Sequence, residues 1–194
     1  MTGGDGNDSY FVDSQADVIN ENAGGGLGDT VYASINFSLA ADDNIEFLLA
    51  YGAGGVSLTG NALNNTIRGG LGADVLTGGL GVDTLKGGGG ADIFNYDLVG
   101  ESAFGSVPDQ MIDFVAGQDK IDLHDIDANG STVANDDFTF IGSGSFTGLG
   151  QIRAVQSGAR TYIYVNSSGD RAAEMILRLD NVLAVNLQDT DFIL

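Results

Sequence analysis

The residues best suited to chemistry are aspartates at fixed spacing. Asp74, Asp83 and Asp92 each close the same frame: Gly69-Gly70-Leu71-Gly72-Ala73-Asp74-Val75-Leu76-Thr77, then Gly78 to Lys86, then Gly87 to Asn95. A weaker copy, Gly60 to Arg68, carries Asn65 in the aspartate position, and a remote full copy, Gly3 to Phe11, carries Asp8 there. Carboxylates flanked by glycine backbone offer oxygen ligands only, the donor set that a hard cation such as Ca2+ prefers, and tandem copies would hold several ions. Backbone carbonyls of the first and third residues of each loop would complete the shells. These are Gly3 and Asp5, Gly69 and Leu71, Gly78 and Leu80, and Gly87 and Gly89.

Such ligands must be positioned by a short, repeated element. Six residues of turn and three of strand make half a coil, so two nonapeptides complete one turn of a parallel β-roll. Leu76, Leu85 and Phe94 are the inward positions in register, and glycine supplies the turn conformations closed to other residues. Aspartates one period apart fall on opposite edges; those two periods apart stack on one edge. Stacked strands lie about 4.8 Å apart, and Ca2+ with oxygens at about 2.4 Å spans that gap. Asp74 is therefore expected to share an ion with the Gly87 to Asp92 loop, and Asp83 to face the Asn65 loop.

Composition agrees with a cation requirement. Acidic residues number 27 against 7 basic, a formal charge of -20, so self-repulsion opposes compaction until cations neutralise it. Nucleic acid and anionic membrane surfaces are poor partners for such a chain. There is no cysteine to staple the fold, no apolar run long enough for a membrane span, and no basic-then-apolar signal at Met1-Thr2-Gly3-Gly4.

The chain reads as all-β. Residues 1–95 form a solenoid with irregular rungs at 21–59, where Val31, Ala33, Ile35, Phe37 and Leu39, then Ile45, Phe47 and Leu49, alternate with polar residues. Asn22 to Asp29 looks like a repeat loop of altered length, making Asp29 a candidate ligand. Residues 96–194 form the cap that a solenoid end needs. Its strands are expected at Met111 to Val115, Lys120 to Leu123, Phe138 to Ile141, Gln151 to Ala154, Thr161 to Val165 and Met175 to Leu179, in an antiparallel sheet packed on the last turn.

The frame GGxGxDxUx resembles the calcium-binding nonapeptide of RTX (haemolysin-type) proteins. Asp109-Gln110-Met111-Ile112-Asp113-Phe114, then Gly117-Gln118-Asp119-Lys120-Ile121-Asp122-Leu123, and the end Asp189-Thr190-Asp191-Phe192-Ile193-Leu194 resemble the C-terminal domain of serralysin-type metalloproteases and the R-modules of alginate epimerases. That resemblance implies a secreted, non-catalytic, calcium-binding module preceded by a further domain, whose uncleaved C-terminal tail is read by a type I secretion exporter. It also implies metal-site roles for Glu101, one period after Asp92, and for Asp109. The turn Val165 to Arg171 is less acidic than the family pattern, and residues 12–59 fit the generic repeat but not the protease.

Catalytic signatures are missing. No HExxH or GxSxG occurs, and His124 is the lone histidine, placed at a strand end. Asp42-Asp43 and Asp136-Asp137 read as solvated turns, and Tyr162 and Tyr164 as sheet-face packing. The chain is expected not to be an enzyme on its own; a polysaccharide-binding module is the runner-up reading.

Overall fold

The computed structural model describes residues 1–21, 25–41, 44–129, 135–168 and 171–194. The Asp42-Asp43 turn and parts of the Asn22 to Asp29 and Val165 to Arg171 loops therefore lie outside the described residues.

Three-residue strands whose middle side chain is buried are the signature of the repeats: β6 (Thr66–Arg68), β7 (Val75–Thr77), where Thr77 is buried too, β8 (Thr84–Lys86) and β9 (Ile93–Asn95). Alternation along a strand sends every second side chain inward, so each repeat contributes one core residue. Strand β6 pairs in parallel with β8 and β7 with β9, matching Ile67 to Leu85 and Leu76 to Phe94. Residues two periods apart therefore stack, and successive repeats alternate between two sheets.

Among the described residues one sheet runs β1 (Ser9–Val12), β2 (Thr30–Ala33), β4 (Phe47–Ala50), β6, β8, β10 (Asp109–Met111), β15 (Met175–Asp180), β14 (Arg160–Asn166), β13 (Gln151–Ser157), β12 (Thr139–Phe140). The facing sheet runs β3 (Phe37–Ser38), β5 (Ser57–Thr59), β7, β9, β11 (Lys120–Asp122), β16 (Phe192–Ile193). Between them lie two columns of side chains. Leu48, Ile67, Leu85 and Met111 are fully buried in one, and Leu58, Leu76, Phe94 and Ile121 in the other, which ends on Phe192. Each such side chain stabilises the stack by about 1.5–3 kcal/mol through burial.

Parallel pairing does not stop at Asn95. Strand β10 adds to β8, β11 to β9, and β16 to β11. Among the described strands antiparallel pairing is confined to β13, β14 and β15, with one isolated antiparallel bridge from Ala103 to Met175, and this part continues the ten-stranded sheet edge-on through the parallel β10–β15 pair. The expected cap strands thus fall in two classes. The strands near Met111 and Lys120 extend the roll because Met111 and Ile121 continue its two inner columns, the three from Gln151 onward build the antiparallel sheet, and β12 adds to its edge in parallel. The only helical pieces among the described residues are short 3-10 turns, and no helix there is long and apolar enough to cross a membrane.

Candidate cation-binding edges

The residue just before each of β1, β2, β4, β6 and β8 on the longer sheet is acidic or an amide: Asp8, Asp29, Glu46, Asn65 and Asp83, followed by Asp109 at the start of β10. Strand register places these in one line along an edge of the roll. Their main chains and side chains interlock. The Asp8 amide donates to Asp29 Oδ1 (2.7 Å), Asp29 to Glu46 Oε2 (3.0 Å), Asn65 to Asp83 Oδ1 (2.7 Å) and Asp83 to Asp109 Oδ1 (2.8 Å). Ser102 Oγ closes the line by accepting from the Asp109 amide at 3.0 Å. The opposite edge repeats the device: Val56 donates to Asp74 Oδ1 (2.8 Å), Asp74 to Asp92 Oδ1 (2.9 Å) and Asp92 to Asp119 Oδ1 (3.0 Å).

One oxygen of each carboxylate thus satisfies the preceding coil. The other oxygen differs between the edges. Asp74 Oδ2 accepts from Gly70 N–H (2.6 Å) and Asp119 Oδ2 from Val115 N–H (2.8 Å) within their own loops. On the longer line, Asp8 Oδ2, Asp29 Oδ2, Asp83 Oδ2 and Asp109 Oδ2 are buried without any hydrogen-bond partner. A buried carboxylate oxygen lacking a donor is expensive, and either a bound cation or a proton removes the cost.

Main-chain oxygens converge on the same places. A Cβ built on Gly69 would lie 2.3 Å from Gly87 O and 2.4 Å from Asp74 Oδ2, and one built on Gly60 2.3 Å from Gly78 O and 2.5 Å from Asn65 Oδ1. Oxygens of adjacent coils therefore meet where only hydrogen fits. Gly3 has the same relation to Asp8 Oδ2, and Gly78 and Gly87 to Asp83 and Asp92 of their own loops. The side chains of Leu71 and Leu80 point to solvent and Asp5 is exposed, leaving their carbonyls as the groups on offer.

The electrostatics follow from burial without counter-charge. Removal from water pushes Asp83 up to about 8, against the Asn65 amide that lowers it and with Asp109 and Glu101 raising it further. Burial likewise raises Asp109 and Glu101 to about 7 and Asp92 to about 6. Asp119 is also raised, and Tyr96, fully buried beside Asp109, Asp83 and Glu101, is held protonated. Glu101 thus joins Asp83 and Asp109 at one end of the line, its Oε2 accepting from Asp97 N–H at 3.2 Å. These oxygen-rich, cation-poor edges fit a hard divalent ion.

Sequence reasoning named most of one edge but passed over Glu46 and Asp119, and held Asp29 only as a candidate. Their separations from the neighbouring rung are 17, 27 and 21 residues rather than the 18 of the perfect repeats. The signal that survives these irregular spacings is local: an acid followed by a strand residue and then an inward apolar one, as in Asp119-Lys120-Ile121. Elsewhere, His124 is exposed next to Asp125, and Tyr164 packs under Arg153 and near Phe104, a sheet-face role.

The family model described as Peptidase M10 serralysin C terminal matches residues 3–194. The chain belongs to this serralysin C-terminal family. The family description marks it as the terminal region of longer proteins, and the match runs through both the roll and the antiparallel strands. Among solved structures, the AlgE6R3 subunit from the Azotobacter vinelandii mannuronan C5-epimerase is similar at 24% identity and a TM-score of 0.51, over 82% of this chain and 78% of that one. The AlgE6R2 subunit of the same organism's enzyme aligns at 24% identity and a TM-score of 0.46, over 99% of this chain and 90% of that one. The first likeness bears on the fold, an all-β parallel roll. No curated protein sequence matches the chain significantly.

Proposed function

We propose that this serralysin C-terminal module is a non-catalytic, calcium-binding unit of a secreted protein. In this reading the calcium-loaded roll comprises residues 1–95 extended by β10 and β11, and the remainder of residues 96–194 caps it and carries the export signal. The chain stays unfolded where calcium is scarce, folds outside the cell as ions fill the edges, and is addressed to a type I exporter by Asp189 to Leu194. The ligands are the carboxylates of Asp8, Asp74, Asp83, Asp92, Glu101 and Asp109, the Asn65 side chain, and carbonyls of the loop glycines and their third residues.

The observation that carries the reading is the pair Asp83 and Asp109: adjacent rungs, both fully buried, each with one oxygen outside hydrogen-bond geometry with any donor, the buried Tyr96 hydroxyl being the neighbouring side-chain donor beside Asp109. Two carboxylates in that state repel each other unless a cation lies between them or they take up protons, and burial, with neighbouring acids adding to it, raises both well above the ordinary carboxylate range. Magnesium suits the site poorly, since it resists dehydration and demands a smaller octahedral shell. Isothermal titration of the chelator-treated chain with Ca2+ and with Mg2+ tests this: several calcium ions bound cooperatively are expected, and no calcium uptake would overturn it.

A second reading, binding of a polysaccharide, is favoured by an exposed aromatic row. Phe11, 61% exposed, stacks on Tyr32 at 5.0 Å and meets Tyr51 edge-on at 6.2 Å on the outer face of the first coils. Sugar rings stack on such faces. Titration of alginate-type oligomers against the calcium-loaded chain and against Phe11→Ala separates the readings, since export and folding need no glycan.

A further inference from the structure

We propose that Asp8, Glu21 and Asp29 form a separate cation site in the first coil, taking a hard divalent ion of calcium's class through three carboxylates. One oxygen from each lies within 4.8 Å of those of the other two, and among the described residues this is the single group of three candidate ligand side chains so placed. Strand geometry brings them together. Asp8 and Asp29 are neighbouring rungs before β1 and β2, and Glu21 follows Asn20, which bridges to Thr2 as the first coil closes.

The second observation is that the cluster contains oxygens with nothing to hold. Asp29 is fully buried; its Oδ1 accepts the Asp8 amide at 2.7 Å, and its Oδ2 has no hydrogen-bond partner. Asp8 Oδ2 is likewise buried and unpartnered. It also faces the cluster, because a Cβ on Gly3 would lie 2.3 Å from Asp8 Oδ2 and 2.4 Å from the Tyr10 hydroxyl, and that hydroxyl donates to Glu21 Oε2. Glu21 is 2% exposed. No lysine or arginine precedes Arg68 in the chain, so the sequence around the cluster supplies no basic side chain for the buried Glu21 and Asp29 and the half-buried Asp8. A donor set of carboxylates with no imidazole or thiolate selects calcium-like ions over zinc or copper.

This site differs from the loop sites in kind. A repeat loop contributes one carboxylate and several carbonyls, whereas here three carboxylates meet and Glu21 stands outside any nonapeptide frame. An ion there ties the first coil shut where the glycine frame lapses. The inference deepens the calcium reading by adding a site, and it does not depend on which loops between Gly60 and Asp92 fill.

The test is an anomalous difference map from crystals of the full chain grown with terbium in place of calcium, paired with native mass spectrometry of wild type and Glu21→Gln in calcium. The expected map has a peak coordinated by Asp8, Glu21 and Asp29 in addition to peaks between the repeat loops, and Glu21→Gln carries one ion fewer than wild type. Peaks at the loops with none beside Glu21, or an unchanged ion count in Glu21→Gln, would overturn this site alone. A map without any bound ion would overturn the calcium reading as well. If Glu21→Gln fails to fold, the wild-type map still decides.

Discussion

Asp83 donates its amide to Asp109 Oδ1 at 2.8 Å across 26 residues of chain, while each keeps a second, buried oxygen unsatisfied. The backbone hydrogen bonding of the roll therefore holds two like charges on adjacent coils. An ion of charge two converts that liability into a link between coils.

Asp83→Asn should raise the calcium concentration at the folding midpoint roughly tenfold, equivalent to about 1.4 kcal/mol. It removes a ligand charge while keeping size and the acceptor for the Asn65 amide. Asp125→Asn, at a side chain 67% exposed, should leave the midpoint unchanged. Equal midpoints for the two variants in calcium titrations followed by circular dichroism would remove Asp83 from the ligand set.

Acid should partly replace calcium. Asp83 at about 8, Asp109 and Glu101 at about 7, and Asp92 at about 6 all lie above their unfolded values, so the metal-free fold binds more protons than the unfolded chain. Their contribution to metal-free stability is fully present below the unfolded carboxylate range and is lost as pH rises through about 6 to 8. In chelator, β-structure should therefore grow on acidification from about pH 8 to about pH 5, and apparent calcium affinity should weaken over the same range. Metal-free secondary structure that is flat across this window would contradict the burial of these acids.

Gly69→Ala should disable a loop that Gly89→Ala leaves working. The Gly69 Cβ would strike Gly87 O and Asp74 Oδ2, whereas the nearest atom to a Gly89 Cβ is 3.6 Å away and its backbone does not need a positive φ. A cost of about 1–3 kcal/mol is expected at Gly69, against less than about 0.5 kcal/mol at Gly89. Urea titrations of the calcium-loaded variants give both numbers.

The repeats made the two inner columns legible, because Leu76, Leu85 and Phe94 keep phase with their loops and all three are fully buried. The edges were harder to read where spacing breaks. Asp119 is 27 residues from Asp92 because the 3-10 turn Val99–Ser102 and β10 intervene before the chain returns to the shorter sheet. Phe192 is farther still: it pairs with Ile121 and lies 4.8 Å from the Phe140 ring, contacts that no local pattern encodes. Glu21 carried no signal at all, since only the closing of the first coil brings it to Asp8 and Asp29.

That placement of Phe192 shapes the export prediction. Deleting Phe192 to Leu194 should abolish secretion by a matched type I exporter, which reads the tail before it packs. It should also cost about 3 kcal/mol of folded stability, because β16 is the terminal strand of the sheet that contains β11, β9 and β7. Because folding is coupled to ion binding, that loss should also raise the calcium midpoint, by a factor that shrinks as more ions share the transition. Secretion at wild-type levels would remove the export assignment.

Calcium binding and folding of this chain should be one event, since the unfolded chain assembles no site from the acids that the fold buries. Far-ultraviolet circular dichroism of the full chain, first in chelator and then in millimolar calcium, measures it directly. A largely disordered spectrum is expected at neutral pH in chelator and a β-rich spectrum after calcium, with magnesium a poor substitute. A chain already fully β-structured in chelator at neutral pH would contradict that coupling.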